Sequence, residues 1–162
     1  MGDRREGIHV IPWSRDGLEL VAEFTDVEAA VLSDFMRQAV ELMQSASTPD
    51  RDRALDRLLP SAYPDDPDAA AAYRRSTEES LLEHKILNAK TVILSAHSAV
   101  PVRLSPSQVQ SWLRAIADLR LIIAQRLGIE QDDDLGTGDG FVQDVYQWLA
   151  YLQASMLEAM EA

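Results

Sequence analysis

The residues of this chain with the clearest chemical potential are two arginines and a pair of aspartates. Arg120 falls in register with Leu113, Ile116, Ile123 and Leu127 on one apolar stripe, and arginine is almost never fully buried without a partner. Its position predicts a guanidinium held by a carboxylate or by several carbonyls. Asp65 and Asp66, adjacent in a proline-flanked loop, are the first candidates for that carboxylate. Two such close carboxylates could also do general acid–base work, because each pushes the other's pKa apart; they equally suit the N-terminus of the helix that follows, whose positive end welcomes them. Arg126 and Trp112 lie on the same run as Arg120 and complete a set of candidate structural or ligand-contacting residues.

The other constellations fall short of a motif. Asp132, Asp133 and Asp134 invite a calcium reading, but an EF-hand loop counted from Asp132 needs glycine at position six and glutamate at position twelve. The sequence has Thr137 and Gln143 there. His9, His84 and His97 lack the spacing of a zinc site. Gly136, Gly138 and Gly140 precede a helix, yet no strand leads into them, no lysine follows, and the neighbouring acids would repel a phosphate. No serine sits in a nucleophile elbow. Arg51, Arg53 and Arg57 are interleaved with Asp50, Asp52 and Asp56, which reads as a salt-bridged wet face and not as a phosphate stripe. The expectation is no catalytic residue, no metal and no cofactor.

Composition narrows the classes further. The 162 residues include no cysteine, which removes disulfides, thiolate metal sites and cysteine nucleophiles together. The formal charge is −12, from 27 acidic and 15 basic residues, and such a surface repels phosphate backbones and anionic lipids. Neither a leader peptide nor an apolar run long enough for a membrane span is visible. The chain therefore reads as a single cytoplasmic domain over 1–162, with no direct nucleic acid and no membrane among its partners.

The element that must position these residues is a helix over 106–127. Ser105 and Gln108 form a capping box, Pro106 suits the first helical position, and Gly128 supplies the left-handed stop. Val109, Trp112, Leu113, Ile116, Leu119, Ile123 and Leu127 make its stripe. Leu121 and Ile122 fall off that stripe, so the second half is apolar nearly all round and should be buried on more than one side.

Around it the sequence predicts a mainly α fold of about five helices with a small antiparallel sheet. Ser14-Arg15-Asp16-Gly17, with its Asp-Gly hairpin signal, joins two strands at 7–13 and 18–24, and a third short strand at 99–104, carrying Pro101, pairs with them as an edge. Thr25 and Glu28 open a helix that runs to about Gln44. A short helix lies between Thr48 and Pro60. The stretch 68–97 reads either as one helix or as two with a bend near Thr77. The last helix runs from Phe141 to about Met160, with an acidic glycine-rich loop before it.

Three stretches carry a resemblance: Leu59 to Pro67 (LPSAYPDDP) with Arg74 to Glu78 after it, Trp112 to Arg120 (WLRAIADLR) running on to Ile129, and Val145 to Leu152 (VYQWLAYL). Together they resemble an actinobacterial domain-of-unknown-function family, and the resemblance covers nearly the whole chain. Genes of that family commonly lie beside that of the ClpS adaptor of the Clp protease and near a sulfur-carrier route to cysteine. Some members are described as transcriptional regulators, and a role in the oxidative-stress response acting through a sigma factor has been proposed in the family. The resemblance brings no catalytic residues with it.

The function this implies is a non-enzymatic regulatory protein acting through protein–protein contacts, with stress-response transcription or Clp-linked regulation as the setting. The alternatives are a small-molecule sensor or enzyme whose site the sequence hides, and, behind it, direct DNA binding. Helical regulators present aromatic or apolar side chains to a partner. Leu121, Ile122, Tyr146 and Tyr151 are the candidate surface for a protein partner or a homodimer. Leu87 and Leu94 likewise lie off the main face of their helix.

Overall fold

The computed structural model describes residues 13–46, 52–59, 67–129 and 139–162, with side chains from 75 onward in the helix that begins at Pro67. In chain order these residues form β1 (Ser14–Asp16), β2 (Glu19–Ala22), α1 (Asp26–Gln44), α2 (Ala54–Leu58), α3 (Pro67–Ala96), β3 (Val102–Leu104), α4 (Pro106–Leu127) and α5 (Gly140–Glu161). The result is the mainly α fold expected, with five helices and a three-stranded antiparallel sheet in the order β1-β2-β3.

The hairpin sits differently from its expected register. Ser14, Arg15 and Asp16 pair with Val21, Leu20 and Glu19, so residues assigned to the turn are the strand, and the loop is Gly17 and Leu18 alone. Gly17 has φ 62 and occupies the first loop position, where a type II′ hairpin turn takes glycine. Reading Ser14 to Gly17 as the loop displaces the strand. The true register leaves Leu18 at the exposed tip while Leu20 and Ala22 face inward. The part of the expected strand at 7–12 lies outside the described residues. β3 joins as predicted: Leu104 pairs with Leu20 and Val102 with Ala22, which puts four apolar side chains on the inner face.

Both capping boxes form. In α1, Thr25 Oγ1 accepts from the Glu28 amide at 3.1 Å and Glu28 Oε1 accepts from the Thr25 amide at 3.0 Å. In α4, Ser105 Oγ accepts from the Gln108 amide at 3.3 Å and Gln108 Oε1 from the Ser105 amide at 2.8 Å. Gly128 ends α4 with φ 69, and the Ile129 amide reaches back to the Ala124 carbonyl at 2.8 Å, the closure expected of a left-handed C-terminus. α3 is one continuous helix of 30 residues, which decides between the two readings of that stretch.

α4 packs against α1, α2, α3 and α5 and touches β2 and β3. Trp112, Ile116, Leu119 and Ile123 are fully buried along it. At its sheet end the Trp112 ring meets Trp13 edge-on at 5.4 Å and Phe24 at 5.9 Å, and Phe24 meets Trp148 at 6.3 Å. This aromatic cluster ties α4, α5 and the sheet into one connected core.

Candidate functional site

Trp112, a candidate ligand contact from sequence, is a core residue. Its indole Nε1 donates to Ser95 Oγ at 2.8 Å, and Ser95 Oγ in turn donates to the Thr91 carbonyl one turn back along α3. Arg120 is half-buried on the seam between α4 and α5. Its Nη1 donates to Gln153 Oε1 at 3.1 Å, and the guanidinium carbon lies 4.9 Å from the centre of the Tyr146 ring. Among the described residues no carboxylate forms an ion pair with it. The partners it has among the described residues are thus a neutral amide oxygen and an aromatic face, and its Nε is buried with no hydrogen-bond partner. Asp65 and Asp66 lie outside the described residues. Arg126 is exposed in the last turn of α4, where a cation favours the helix dipole, and its Nη2 reaches Asp52 Oδ2 at 3.2 Å.

The four candidate partner-surface residues separate. Leu121 and Tyr151 are exposed, Tyr146 is half-buried beneath Arg120, and Ile122 is 4% exposed. Ile122 is therefore a core residue and not a surface one. It lies on the second buried side that a helix packed on several neighbours must have.

The feature that draws α1, α4 and α5 together at the surface is a groove of about 410 Å³. Val31 and Phe35 of α1, Leu119 and Ile122 of α4, and Phe141 and Val142 of α5 supply its apolar lining. Asp139 caps α5 by accepting from the Phe141 amide at 2.8 Å, which fixes the first turn so that the Phe141 ring lies 6.4 Å from Phe35. Asp34, Gln38 and Arg126 are its polar residues. Asp34 is bonded to Arg37 at 3.2 Å and Arg126 to Asp52, so these groups edge the groove without converging on a point inside it. Neither Arg120 nor Trp112 lines it.

A buried ion pair escaped the sequence reading. Lys85 Nζ of α3 lies 2.7 Å from Asp118 Oδ1 of α4, and the two side chains are only 17% and 11% exposed. Asp118 Oδ2 is buried without a hydrogen-bond partner. Burial pushes the Asp118 carboxyl above the usual carboxylate range, and Lys85 pulls it back. The signal was present: Asp118 sits between Ala115 and Ile122 on the second apolar side of α4, as Arg120 sits on the first. Also unread was Ser155 of α5, whose buried hydroxyl accepts from the Trp13 amide at 2.7 Å. Among the described residues no group of three or more histidines, aspartates or glutamates is placed to hold a metal, and no helix is long and apolar enough to cross a membrane.

A protein family described as a domain of unknown function, DUF2017, matches residues 10–160. The chain belongs to the DUF2017 family. No curated protein and no solved structure matches it. The DUF2017 match spans the described elements from β1 to the last turn of α5, so the groove, the Arg120 seam and the Lys85–Asp118 pair all lie inside the family's domain.

Proposed function

We propose that this DUF2017 domain is a regulatory protein that works by binding other proteins, and that the α1–α4–α5 groove receives them. The observation that carries this reading is the apolar groove itself, with a half-exposed Phe141 at its edge. An amphipathic helix laid into such a groove buries apolar anchors spaced three and four residues apart. Aromatic side chains add large contact area with few torsions to freeze. Leu121 and Tyr151 are also exposed on α4 and α5, but neither lines this groove. The sequence resemblance supplies the setting of the proposal, stress-response transcription or Clp-linked regulation.

Affinity capture from a lysate with three baits tests it: the natural chain, Phe141→Glu in the groove, and Arg114→Glu on an exposed turn of α4. A partner held by the first and third baits and lost from the second supports the reading. Partners retained equally by all three would remove it. The groove's volume favours one second reading, since about 300–1,000 Å³ is also the size of small-molecule sites. A purified chain whose melting temperature rises with a small apolar ligand, and no longer does so in Phe141→Glu, would favour that reading.

A further inference from the structure

None of the described elements covers one face of α3. Leu82, Ala89, Val92 and Ala96 are buried on its inner side, where it packs on α1 and α4. His84, Leu87, Thr91 and Leu94 follow one another at spacings of three and four on another side, the spacing of a helix–helix seam. Leu87 is 62% exposed and Leu94 75% exposed. Beside Leu94 runs a groove of about 350 Å³ between α1 and α3, with Val40 and Ile93 in its floor and Arg37, Glu41 and Lys90 along its rim. Single exposed leucines are ordinary on protein surfaces. Two on one stripe, next to an apolar groove, form a face that a partner can cover.

We infer that the occupant is a second copy of this chain, with α3 packed antiparallel on α3 about a twofold axis between Lys90 and Thr91. Charge is the first argument. Each copy carries −12, so two copies repel over most of their surfaces, and a self-interface has to be locally neutral. This face is not acidic: the charged residues of its groove are Arg37 and Lys90 against Glu41, with Glu83 one turn before Leu87 on α3. Spacing is the second argument. Leu87 and Leu94 lie equally far on either side of the Lys90–Thr91 midpoint, roughly 5 Å each way along a helix rising 1.5 Å per residue. A twofold axis there sets Leu87 of one copy against Leu94 of the other, twice over, as an isologous contact requires. The same operation sets Thr91 beside the other copy's Thr91 on one flank of the seam and Lys90 beside the other copy's Lys90 on the opposite flank, where the long side chains let each ammonium turn out to water.

The apolar part of this face is short. It buries a few hundred Å² per copy, well under the ~800 Å² of a standard partner surface. The dimer is therefore weak and reversible, dissociating at roughly 10–100 µM.

Because the chain has no cysteine, one introduced thiol reports on the axis. Thr91→Cys should give a disulfide-linked dimer under mild oxidation, while Arg114→Cys on α4 should not. Sedimentation equilibrium of the full chain should show mass rising with concentration. Leu87→Glu and Leu94→Glu should each weaken association at least about tenfold by burying a charge in the seam, with circular dichroism and melting temperature unchanged because both leucines are exposed. A natural chain that stays monomeric up to roughly ten times the expected dissociation constant overturns the inference, even if a foreign helix is found to bind through Leu94. So does a dimer that persists in both glutamate variants and fails to cross-link through Thr91→Cys.

Discussion

Replacing Lys85 by methionine is the perturbation whose outcome the structure constrains most closely. Lys85 Nζ and Asp118 Oδ1 are 2.7 Å apart in a mostly buried position between α3 and α4. At an effective dielectric near 20, unit charges at that distance attract by about 6 kcal/mol, which the desolvation of both groups largely offsets. Burial raises the Asp118 carboxyl more than Lys85 lowers it, and Oδ2 is buried with no hydrogen-bond partner. Methionine keeps the aliphatic stem and removes the charge, leaving the carboxylate alone in the interior. Removing one partner of a buried pair typically costs about 3–5 kcal/mol, and the residual exposure here favours the low end. For a chain of this length about 3 kcal/mol is a fall of roughly 6–12 °C in melting temperature. Replacing both residues, as Lys85→Met with Asp118→Leu, removes the stranded charge and should return stability to within about 1 kcal/mol of the natural chain.

The pH dependence has a definite sign. A carboxyl whose pKa is higher in the folded than in the unfolded state contributes stability below its unfolded value, near 3.9, and that contribution is lost as pH rises through the folded value. Without Lys85 the folded value climbs further, so the loss continues to higher pH. The deficit of Lys85→Met relative to the natural chain should be small at about pH 4 and grow toward neutrality. Thermal unfolding followed by circular dichroism at several pH values reads both effects. A deficit under about 1 kcal/mol at neutral pH, one that shrinks as pH rises, or a double variant no more stable than the single would each refute the reasoning.

Ser95→Ala leaves the Trp112 indole N–H buried without an acceptor and should destabilise by about 1–3 kcal/mol, measured by denaturant unfolding with tryptophan fluorescence as the probe. Gly128→Ala forces a side chain into the left-handed C-terminus of α4, where φ is 69, and should lower stability by about 1–2 kcal/mol on the same assay. With a net charge of −12, the chain should produce no mobility shift of random duplex DNA at physiological salt; binding that weakens steeply with added salt would reveal a basic face.

The sequence was most readable where a structure depends on neighbours in the chain. Thr25 with Glu28 and Ser105 with Gln108 are three residues apart, so each capping box is a local decision, and both helix starts were correct to the residue. The hairpin turned on a subtler choice. Gly17 can be the second loop residue after Asp16 or the first before Leu18, and only the pairing of Ser14 with Val21 decides it. Partners distant in sequence were out of reach. Arg120 could be singled out as a cation needing company, but Gln153 and Tyr146 reach it only because α5 folds back along α4. The candidate surface shows the same limit. Ile122 and Leu94 both lie off their helices' main faces, yet Ile122 is buried and Leu94 is exposed. α4 has helices around it, whereas α3 has one side that none of the described elements covers.

α1 stands between the two surfaces on which the functional reading rests. Val31, Phe35 and Gln38 line the groove shared with α4 and α5, while Arg37, Val40 and Glu41 line the one shared with α3. The Asp34–Arg37 bond crosses the exposed ridge between them. Both grooves are walled by side chains anchored in one close-packed core, and such cores resist continuous deformation. Loading one groove without repacking α1 should leave the other unchanged. The stability and association effects of Phe141→Glu and Leu94→Glu should therefore add to within about 0.5 kcal/mol in the double variant, as independent sites do. Sedimentation equilibrium and unfolding of the natural chain, both single variants and the double supply the four corners of that cycle. A coupling energy of about 1 kcal/mol or more would show that α1 shifts as a unit and that self-association and partner binding are one equilibrium.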